Sequence, residues 1–287
     1  MIRLGVIGNR DYPDLANVLQ QLLKLATELG VDLRLESTLR DLSGGFDLPP
    51  IQPDDVDVLL TLGGDGTLLR GARFLAGRDI PVLGVNLGRL GFLSACGPGE
   101  METAVRRLIA GDYRGESRMM LEGRPSLSED PRRWYAVNDI VLHKSGKARV
   151  IWLRVEVDGE EVASYAADGI VMSTPTGSTA YNLSVGGPVV VPGHASIGIS
   201  PISAHALSIR SVVVGPDVTI TVHADDDGTD RLVTVDGQVG ATLGTQESLV
   251  VRRASRSVTL VRFAEMTFFT RMRRKLGWGA PPDDPRA

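Results

Sequence analysis

A single acidic residue inside a glycine-rich turn is the first feature of this sequence that could do chemistry. Residues 56–62 are almost entirely apolar, which predicts a buried strand, and they lead directly into Gly-Gly-Asp-Gly-Thr at 63–67. A helix is predicted next, and a helix N-terminus with bare glycine N–H groups favours phosphates. Asp65 would be repelled there unless it holds a metal or accepts a proton from a hydroxyl that attacks phosphorus. The simpler alternative is a tight turn in which Asp65 or Thr67 caps the helix.

A hydroxyl-rich segment forms the second candidate site. Residues 168–182 read DGIVMSTPTGSTAYN, and five of the seven residues 173–179 carry a hydroxyl group. Such groups can hydrogen-bond a ribose, a phosphate or an adenine edge, and Tyr181 can stack on a ring. The alternative is a polar β-turn whose serines and threonines bond to their own backbone.

Several common kinds of site are missing from the sequence. It contains neither the GxGxxG fingerprint of dinucleotide-binding folds nor the GxxxxGK[ST] sequence of a P-loop. The histidines lack the spacing of metal ligands, and Cys96 is the only cysteine. We therefore predict no metal site built from the chain's own side chains. The histidines are His143, His194, His205 and His223.

The first third of the chain alternates strands and helices that would position the GGDGT turn. The periodicity predicts strands at 2–9, 31–36, 56–63 and 80–86, and helices at 14–29, 67–75 and 101–109. This β-α-β-β-α-β order predicts a mostly parallel sheet covered by helices.

The rhythm changes after about residue 115. Short runs then alternate apolar and polar residues, and Asp158-Gly159 and Asp236-Gly237 are typical of hairpin turns between them. This pattern predicts an all-β domain that carries the hydroxyl-rich segment. Residues 266–277 return to a helical pattern with a basic face.

Composition limits the class of protein. The 287 residues include 31 Lys+Arg and 35 Asp+Glu, for a net charge of −4, and this mild acidity argues against a nucleic-acid partner. No apolar run approaches the ~20 residues of a membrane helix, and the first residues lack the features of a signal peptide. One cysteine fits a reducing compartment. We expect a cytoplasmic protein with neither a membrane nor a nucleic acid as partner.

Taken together, six motifs resemble those of the NAD kinase family in order and approximate spacing. They are GGDGT (63–67), NLGRLGF (86–92), VND (137–139), DGIVMSTPTGSTAYNLSVGGP (168–188), PISAHALSIR (201–210) and VDGQ (235–238). The resemblance implies a kinase that moves a phosphoryl group from ATP, or from inorganic polyphosphate, to the 2′-hydroxyl of the adenosine ribose of NAD, forming NADP.

The resemblance also implies a fold and a division into domains. An N-terminal α/β domain with a mostly parallel sheet would span residues 1–115 and be joined by the C-terminal segment 262–287. An all-β, sandwich-like domain that binds NAD would span 116–261. This fold class agrees with the periodicity described above.

Residue roles follow from the same resemblance. Asp65 would accept the proton of the 2′-hydroxyl, Gly66 would let the ribose approach the backbone, and Phe92 would form an apolar wall. Apart from the resemblance, the absence of a P-loop lysine leaves the triphosphate charge to Mg²⁺, to backbone N–H groups and to Arg149 as a candidate, with a surface arginine on a strand as the alternative. The other residues expected to bind NAD are Asn138, Asp139, Asp168, Thr176, Thr179, Ala180, Tyr181, Asn182, Leu183, Ser184 and Gln238.

The resemblance implies further partners and leaves alternatives open. Mg²⁺ would arrive with the phosphate donor, because it prefers phosphate oxygens and water to a protein cage. A homodimer or homotetramer is expected. Where relatives often place a basic residue just before the Asp-Gly pair, this chain has Ala166-Ala167. The alternatives are a GGDG-loop kinase for a lipid or another hydroxyl substrate, and a non-catalytic NAD(P)-binding regulator.

Overall fold

The chain folds into two compact units. The computed structural model describes residues 1–46, 48–89, 91–127, 130–145, 150–224, 231–244, 246–264 and 267–278. Met1–Ser117 and Val258–Ala287 form the first unit, and Arg118–Ser257 form the second.

The strands are β1 (Arg3–Gly8), β2 (Asp32–Leu35), β3 (Val58–Gly63), β4 (Val82–Asn86), β5 (Arg114–Pro125), β6 (Trp134–Ala136), β7 (Asp139–Lys144), β8 (Ile151–Val157), β9 (Glu160–Ala167), β10 (Gly169–Ser173), β11 (Ile197–Ile202), β12 (Val212–Val214), β13 (Thr219–Ala224), β14 (Arg231–Val235), β15 (Gln238–Leu243) and β16 (Leu249–Arg262). The α-helices are α1 (Leu15–Leu29), α2 (Asp65–Leu75), α3 (Met101–Ile109), α4 (Tyr181–Ser184) and α5 (Phe268–Leu276).

A parallel sheet organises the first unit. Its strands lie in the order β2-β1-β3-β4, and each neighbouring pair is parallel. β3 is buried along its whole length, as an apolar strand in the middle of such a sheet must be. The leucines of α1 pack onto this sheet in one core with residues such as Leu60 and Val85. The sheet therefore fixes the point at which β3 ends and the GGDGT turn begins.

Two antiparallel sheets form the second unit. One has six strands in the order β12-β11-β10-β7-β14-β15, and the other contains β13 between β16 and β8, with β9 at its edge. Ile170 and Met172 of the first sheet share one core with Leu153 and Ile220 of the second. This packing of two sheets through their apolar faces is a β-sandwich.

The predicted fold class is confirmed, and so are the two hairpin turns. Asp158-Gly159 joins β8 to β9 and Asp236-Gly237 joins β14 to β15, with positive φ at all four residues. Positive φ at both central residues is the type I′ geometry that matches the twist of the flanking strands. None of the described helices has the length and apolar character needed to cross a membrane.

Some predicted elements were wrong or missing. α2 begins at Asp65 rather than Thr67, and its cap is Gly64 without a side-chain hydrogen bond, so neither Asp65 nor Thr67 caps the helix. β5 was not predicted because its first residues are polar and mostly exposed. β11 was also missed, because only its last two residues belong to a recognised motif, PISAHALSIR, and the four before them were assigned to no element.

Candidate active site

Asp65 lies where β3 ends and α2 begins. Gly63 closes the strand, Gly64 caps the helix, and Asp65 is its first residue. A Cβ atom on Gly63 would lie 2.2 Å from Oγ1 of Thr67, so the turn requires a glycine there. A carboxylate in the first turn of a helix is stabilised by the helix dipole.

The Asp65 carboxylate accepts hydrogen bonds from residues 92–94. Phe92 is the last residue of the NLGRLGF motif, and Leu93 and Ser94 follow it. Oδ2 accepts the Phe92 N–H at 2.7 Å. Oδ1 accepts the Leu93 N–H at 3.2 Å, the Ser94 N–H at 3.3 Å and the Ser94 hydroxyl at 2.9 Å. The two oxygens of a carboxylate offer about four acceptor sites. Among the described residues Oδ2 carries one donor and Oδ1 three, so Oδ2 has the capacity to accept a further proton donor.

Two glycines shape the space around this carboxylate. A Cβ atom on Gly91 would lie 2.0 Å from Oδ1 of Asp65, which only a glycine avoids. Apart from its chain neighbours and the backbone of its own helix, a Cβ atom on Gly66 would meet no described atom within 4 Å. The backbone at Gly66 is therefore open, as an approaching ribose would need.

Phe92 contributes its ring as well as its N–H group. The ring is half-buried, 6.4 Å from the Phe268 ring of α5, and Nζ of Lys275 lies 5.6 Å from its centroid. Asn86 supports the backbone of the NLGRLGF motif, because its buried side chain donates to the Arg89 carbonyl at 2.8 Å. The NLGRLGF motif was recognised in the sequence, but the hydrogen bonds from residues 92–94 to Asp65 were not predicted.

In the second unit, Asp236 organises the VND motif. Its carboxylate accepts the N–H groups of Val137 at 3.1 Å, Asn138 at 2.7 Å and Asp139 at 3.3 Å. The Asn138 carbonyl in turn accepts the Thr174 N–H at 2.8 Å. The Asp-Gly turn predicted only as a hairpin therefore also ties the VND motif into place.

Asp139 is buried, with 3% of its surface exposed. Burial, and then the neighbouring charge of Asp236, raise its pKa from 3.8 to about 7, against a hydrogen bond from the Tyr181 backbone that favours the carboxylate. A carboxyl group with this pKa is poised to gain or lose a proton near neutral pH.

Several hydroxyls of the hydroxyl-rich segment donate to main-chain carbonyls, two of them to carbonyls within the segment itself. The Thr174 hydroxyl donates to Val137 O at 2.6 Å, the Ser178 hydroxyl to Pro175 O at 2.7 Å, and the Thr179 hydroxyl to Thr176 O at 3.3 Å. Thr176 Oγ1 accepts from Nη1 of the buried Arg118 at 3.3 Å, a partner the sequence did not indicate. Ser178 and Thr179 thus show the local bonding of a polar turn, whereas Thr174 and Thr176 have partners outside the segment.

The predicted pocket residues divide between the interior and the rim of this segment. Thr176 and Asn182 are buried, and the side-chain oxygen Oδ1 of Asn182 accepts the Ser200 hydroxyl at 2.7 Å. Tyr181 and Ser184 are exposed, whereas Thr179, Ala180 and Leu183 are half-buried. The rim side chains are therefore the ones open to solvent.

Asp168 forms an ion pair that the sequence did not reveal. Lys144 Nζ lies 2.5 Å from Asp168 Oδ1, and this hydrogen bond lowers the pKa of Asp168, with smaller contributions from Ser203 and His205. Lys144 reaches Asp168 from β7, which pairs with β10. It supplies beside Asp168 the positive charge that Ala166-Ala167 lack.

Gln238 and Arg149 are the two remaining predicted site residues. Gln238 is exposed at the start of β15, directly after the Asp236-Gly237 turn. Arg149 lies outside the described residues. Within the described ranges, no group of three or more His, Cys, Asp or Glu side chains is placed to hold a metal ion.

Comparison with known proteins gives the family. Residues 4–113 match the family model for the ATP-NAD kinase N-terminal domain, and residues 137–263 match that for the ATP-NAD kinase C-terminal domain. The NAD kinase of Gemmatimonas aurantiaca is 51% identical over 281 residues, covering 97% of this chain and 96% of that protein. The chain belongs to the NAD kinase family. The NAD kinase of Heliobacterium modesticaldum, 39% identical over 97% of this chain and 100% of its own, is a further relative.

Solved structures of NAD kinase relatives share the fold. The yeast NADH kinase complexed with NADH has a TM-score of 0.89 and 25% identity, covering 98% of this chain and 89% of that one. An NAD kinase from Archaeoglobus fulgidus in complex with ATP has a TM-score of 0.73 and 24% identity over 96% and 98% of the two chains, and shows the fold alone.

Membership of the NAD kinase family confirms the resemblance and the kinase prediction, and favours them over a lipid kinase or a non-catalytic regulator. The predicted site residues of this family member divide between the units. Asp65, Gly66 and Phe92 lie in the first unit, and the others that are described lie in the second.

Proposed function

We propose that this protein transfers the γ-phosphoryl group of ATP to the 2′-hydroxyl of the adenosine ribose of NAD, forming NADP and ADP. The observation that carries the proposal is a carboxylate at the GGDG turn whose Oδ2 keeps acceptor capacity beside an open backbone at Gly66. Membership of the NAD kinase family supports the same reaction.

Asp65 acts as the proton acceptor in this reaction. The 2′-oxygen forms a bond to the γ-phosphorus while the bond from that phosphorus to the bridging oxygen of ADP breaks, and ADP leaves with the electron pair. The proton of the 2′-hydroxyl passes to Oδ2 of Asp65 and later to solvent. Since the transition state of phosphoryl transfer is loose, this proton moves late, once the hydroxyl is already bonding to phosphorus.

The second unit binds the dinucleotide in this proposal. The predicted domain limits define the two functional parts: residues 116–261 bind NAD, and residues 1–115 with 262–287 carry the GGDGT turn. Tyr181 stacks on a ring, and Asp168, aligned by Lys144, accepts hydrogen bonds from ribose hydroxyls. Asn138 and Asp139 bind NAD together with Thr176, Thr179, Ala180, Asn182, Leu183, Ser184 and Gln238. Phe92 forms the apolar wall, and Arg149 would bind the triphosphate.

The cofactor and setting are part of the same proposal. Mg²⁺ would neutralise triphosphate charge, held on the donor's phosphate oxygens, since the described residues offer no cage of protein ligands. The protein would act as a homodimer or homotetramer in the cytoplasm.

One assay tests the proposal. NADP formation is measured by a coupled dehydrogenase with NAD or NADH as acceptor and ATP or inorganic polyphosphate as donor, with and without Mg²⁺. A diacylglycerol serves as the lipid control. NADP formation from NAD and ATP is expected. Phosphorylation of the lipid alone would favour the other kinase class, and binding of NAD and ATP with no turnover at any metal concentration would indicate a regulator.

A further inference from the structure

Two buried arginines lie behind the backbone that holds Asp65. Arg262, the last residue of β16, is 9% exposed, and Arg271 in α5 is 4% exposed. Both belong to the first unit, as Asp65 does. Their guanidinium groups donate to main-chain carbonyls of residues 91–94. The N–H groups of residues 92–94 bind Asp65.

Arg262 holds the middle of this segment. Its Nη1 donates to the Leu93 carbonyl at 2.6 Å and to the Ser94 carbonyl at 3.1 Å, and its Nη2 donates to the Phe92 carbonyl at 3.3 Å. Its Nε donates to Glu116 at 3.2 Å, which fixes the plane of the guanidinium.

Arg271 holds the same carbonyls from α5. Its Nη1 donates to the Phe92 carbonyl at 2.9 Å and to the Ser94 carbonyl, and the Gly91 carbonyl lies at the outer limit, 3.4 Å away. The two arginines therefore share the Phe92 and Ser94 carbonyls, and Arg262 adds that of Leu93.

The peptide units of this segment connect the arginines to Asp65. The Phe92 carbonyl and the Leu93 N–H belong to one planar peptide unit, and the Leu93 carbonyl and the Ser94 N–H to the next. Each of these units accepts a hydrogen bond from a guanidinium at its oxygen and donates one to Asp65 at its nitrogen. Hydrogen bonds in such a chain polarise one another, so the guanidinium charge strengthens the hydrogen bonds that the peptide N–H groups donate to the Asp65 carboxylate.

We propose that Arg262 and Arg271 are positioning residues for the reaction: acting through the peptide units of residues 92–94, they fix the Asp65 carboxylate so that Oδ2 faces the substrate hydroxyl. The inference rests on the proposed function, because it assigns Asp65 the role of proton acceptor. Because both side chains are buried, we expect neither arginine to touch the substrate. Misplacing a catalytic group by about 1 Å lowers the rate on the order of 100-fold, so a displacement of Asp65 should produce a measurable decrease in kcat.

The test is a set of single and double variants. Arg262→Met is expected to lower kcat for NADP formation by about 10- to 100-fold, with KM for NAD and for ATP nearly unchanged, because the arginine acts only on Asp65. Arg262→Lys, which keeps the charge and some donors, is expected to recover part of kcat. Arg34→Met is the matched control, since Arg34 is also largely buried and ion-paired, to Asp32 and Asp55 on the same unit, and its loss should leave kcat unchanged.

A double-mutant cycle separates positioning from a purely structural role. If Arg262 acts through Asp65, then Arg262→Met in an Asp65→Asn background has nothing left to position and lowers the residual kcat by less than about 2-fold. If the loss of kcat from Arg262→Met is as large in the Asp65→Asn background as in the wild type, the arginine supports the fold alone and the inference is wrong.

Folding is checked by circular dichroism and thermal unfolding of every variant. If Arg262→Met does not fold, Arg271→Gln, which keeps an amide donor but loses the charge, replaces it in the same cycle. A folded variant with wild-type kcat would overturn the inference while leaving the proposed function intact. Absence of NADP formation by the wild-type protein would instead refute the proposed function itself.

Discussion

Asp65→Asn tests the central assignment, because the structure gives its consequences atom by atom. The asparagine carbonyl oxygen can take the place of Oδ1 and keep its three donors. The amide NH₂ group then occupies the place of Oδ2 and faces the Phe92 N–H, 2.7 Å away. Two donors at that distance repel, so one hydrogen bond to a charged group is lost and the proton acceptor disappears with it.

The magnitudes follow from this geometry. Loss of a hydrogen bond to a charged group costs about 1.5–3 kcal/mol, and loss of a negative charge at the start of α2 about 0.3–1 kcal/mol more. The free energy of unfolding should therefore fall by roughly 2–4 kcal/mol, which corresponds to a decrease of roughly 4–16 °C in Tm. Loss of a positioned proton acceptor should lower kcat by about 10²–10⁴-fold.

Three measurements check the result. These are kcat and KM in the coupled NADP assay well below the lowered Tm, NAD affinity by calorimetry, and Tm by circular dichroism. Asp54→Asn is the control, since it removes a charge from an exposed ion pair with Arg78 and should leave kcat and KM unchanged. Undiminished kcat in Asp65→Asn would refute the role as proton acceptor, and an unchanged Tm would contradict the hydrogen bonds from residues 92–94.

Three further substitutions probe other features of the site. Gly91→Ala should lower kcat by about 100-fold, because its Cβ, 2.0 Å from Oδ1, must displace Asp65. Asp139→Asn should gain stability relative to the wild type as pH rises. The raised pKa of Asp139, about 7, gives the folded protein stability that is fully present below the ordinary pKa of 3.8 and is lost as pH rises through 7. Between pH 5 and pH 8 the gain should be about 2–3 kcal/mol in denaturant unfolding. Tyr181→Ala should raise Kd for NAD about 5- to 150-fold by removing a stacking surface.

Each of these has a control or an opposing result. Gly99→Ala places a Cβ where nothing lies within 4 Å, and should leave kcat unchanged. A stability difference between Asp139→Asn and the wild type that does not change with pH would contradict the raised pKa. NAD affinity equal to that of the wild type in Tyr181→Ala would rule out the stacking role.

Local physics explains which parts of the fold were predictable. The spacing of Leu19, Leu22 and Leu23 with Gly30 at the end predicts α1, and Gly30 indeed caps it with a positive φ of 65°. The Asp-Gly hairpins follow from the backbone preferences of two residues. β5 was missed because half of its residues are polar, and its position depends on the strands beside it rather than on its own pattern.

The sequence pointed to the residue types of the candidate site but not to their contacts. Asp65 was singled out because a carboxylate at a phosphate-binding turn needs a chemical reason. Its donors lie 27 to 29 residues further along the chain, where the sequence shows only another glycine-rich run. The Lys144–Asp168 ion pair likewise joins neighbouring strands across 24 residues. Two of the hydroxyls expected to face a ligand, those of Ser178 and Thr179, donate to carbonyls of their own loop.

The sequence by itself determined the fold class and the family and singled out Asp65 as the candidate proton acceptor, because periodicity, turn preferences and motif residues are encoded over short stretches of chain. Tertiary structure alone decided which oxygen of Asp65 keeps acceptor capacity, why the pKa of Asp139 is raised, and that Arg262 and Arg271 lie behind residues 92–94. Those properties depend on burial and on distances between groups remote in sequence, and such distances exist only once the chain has folded.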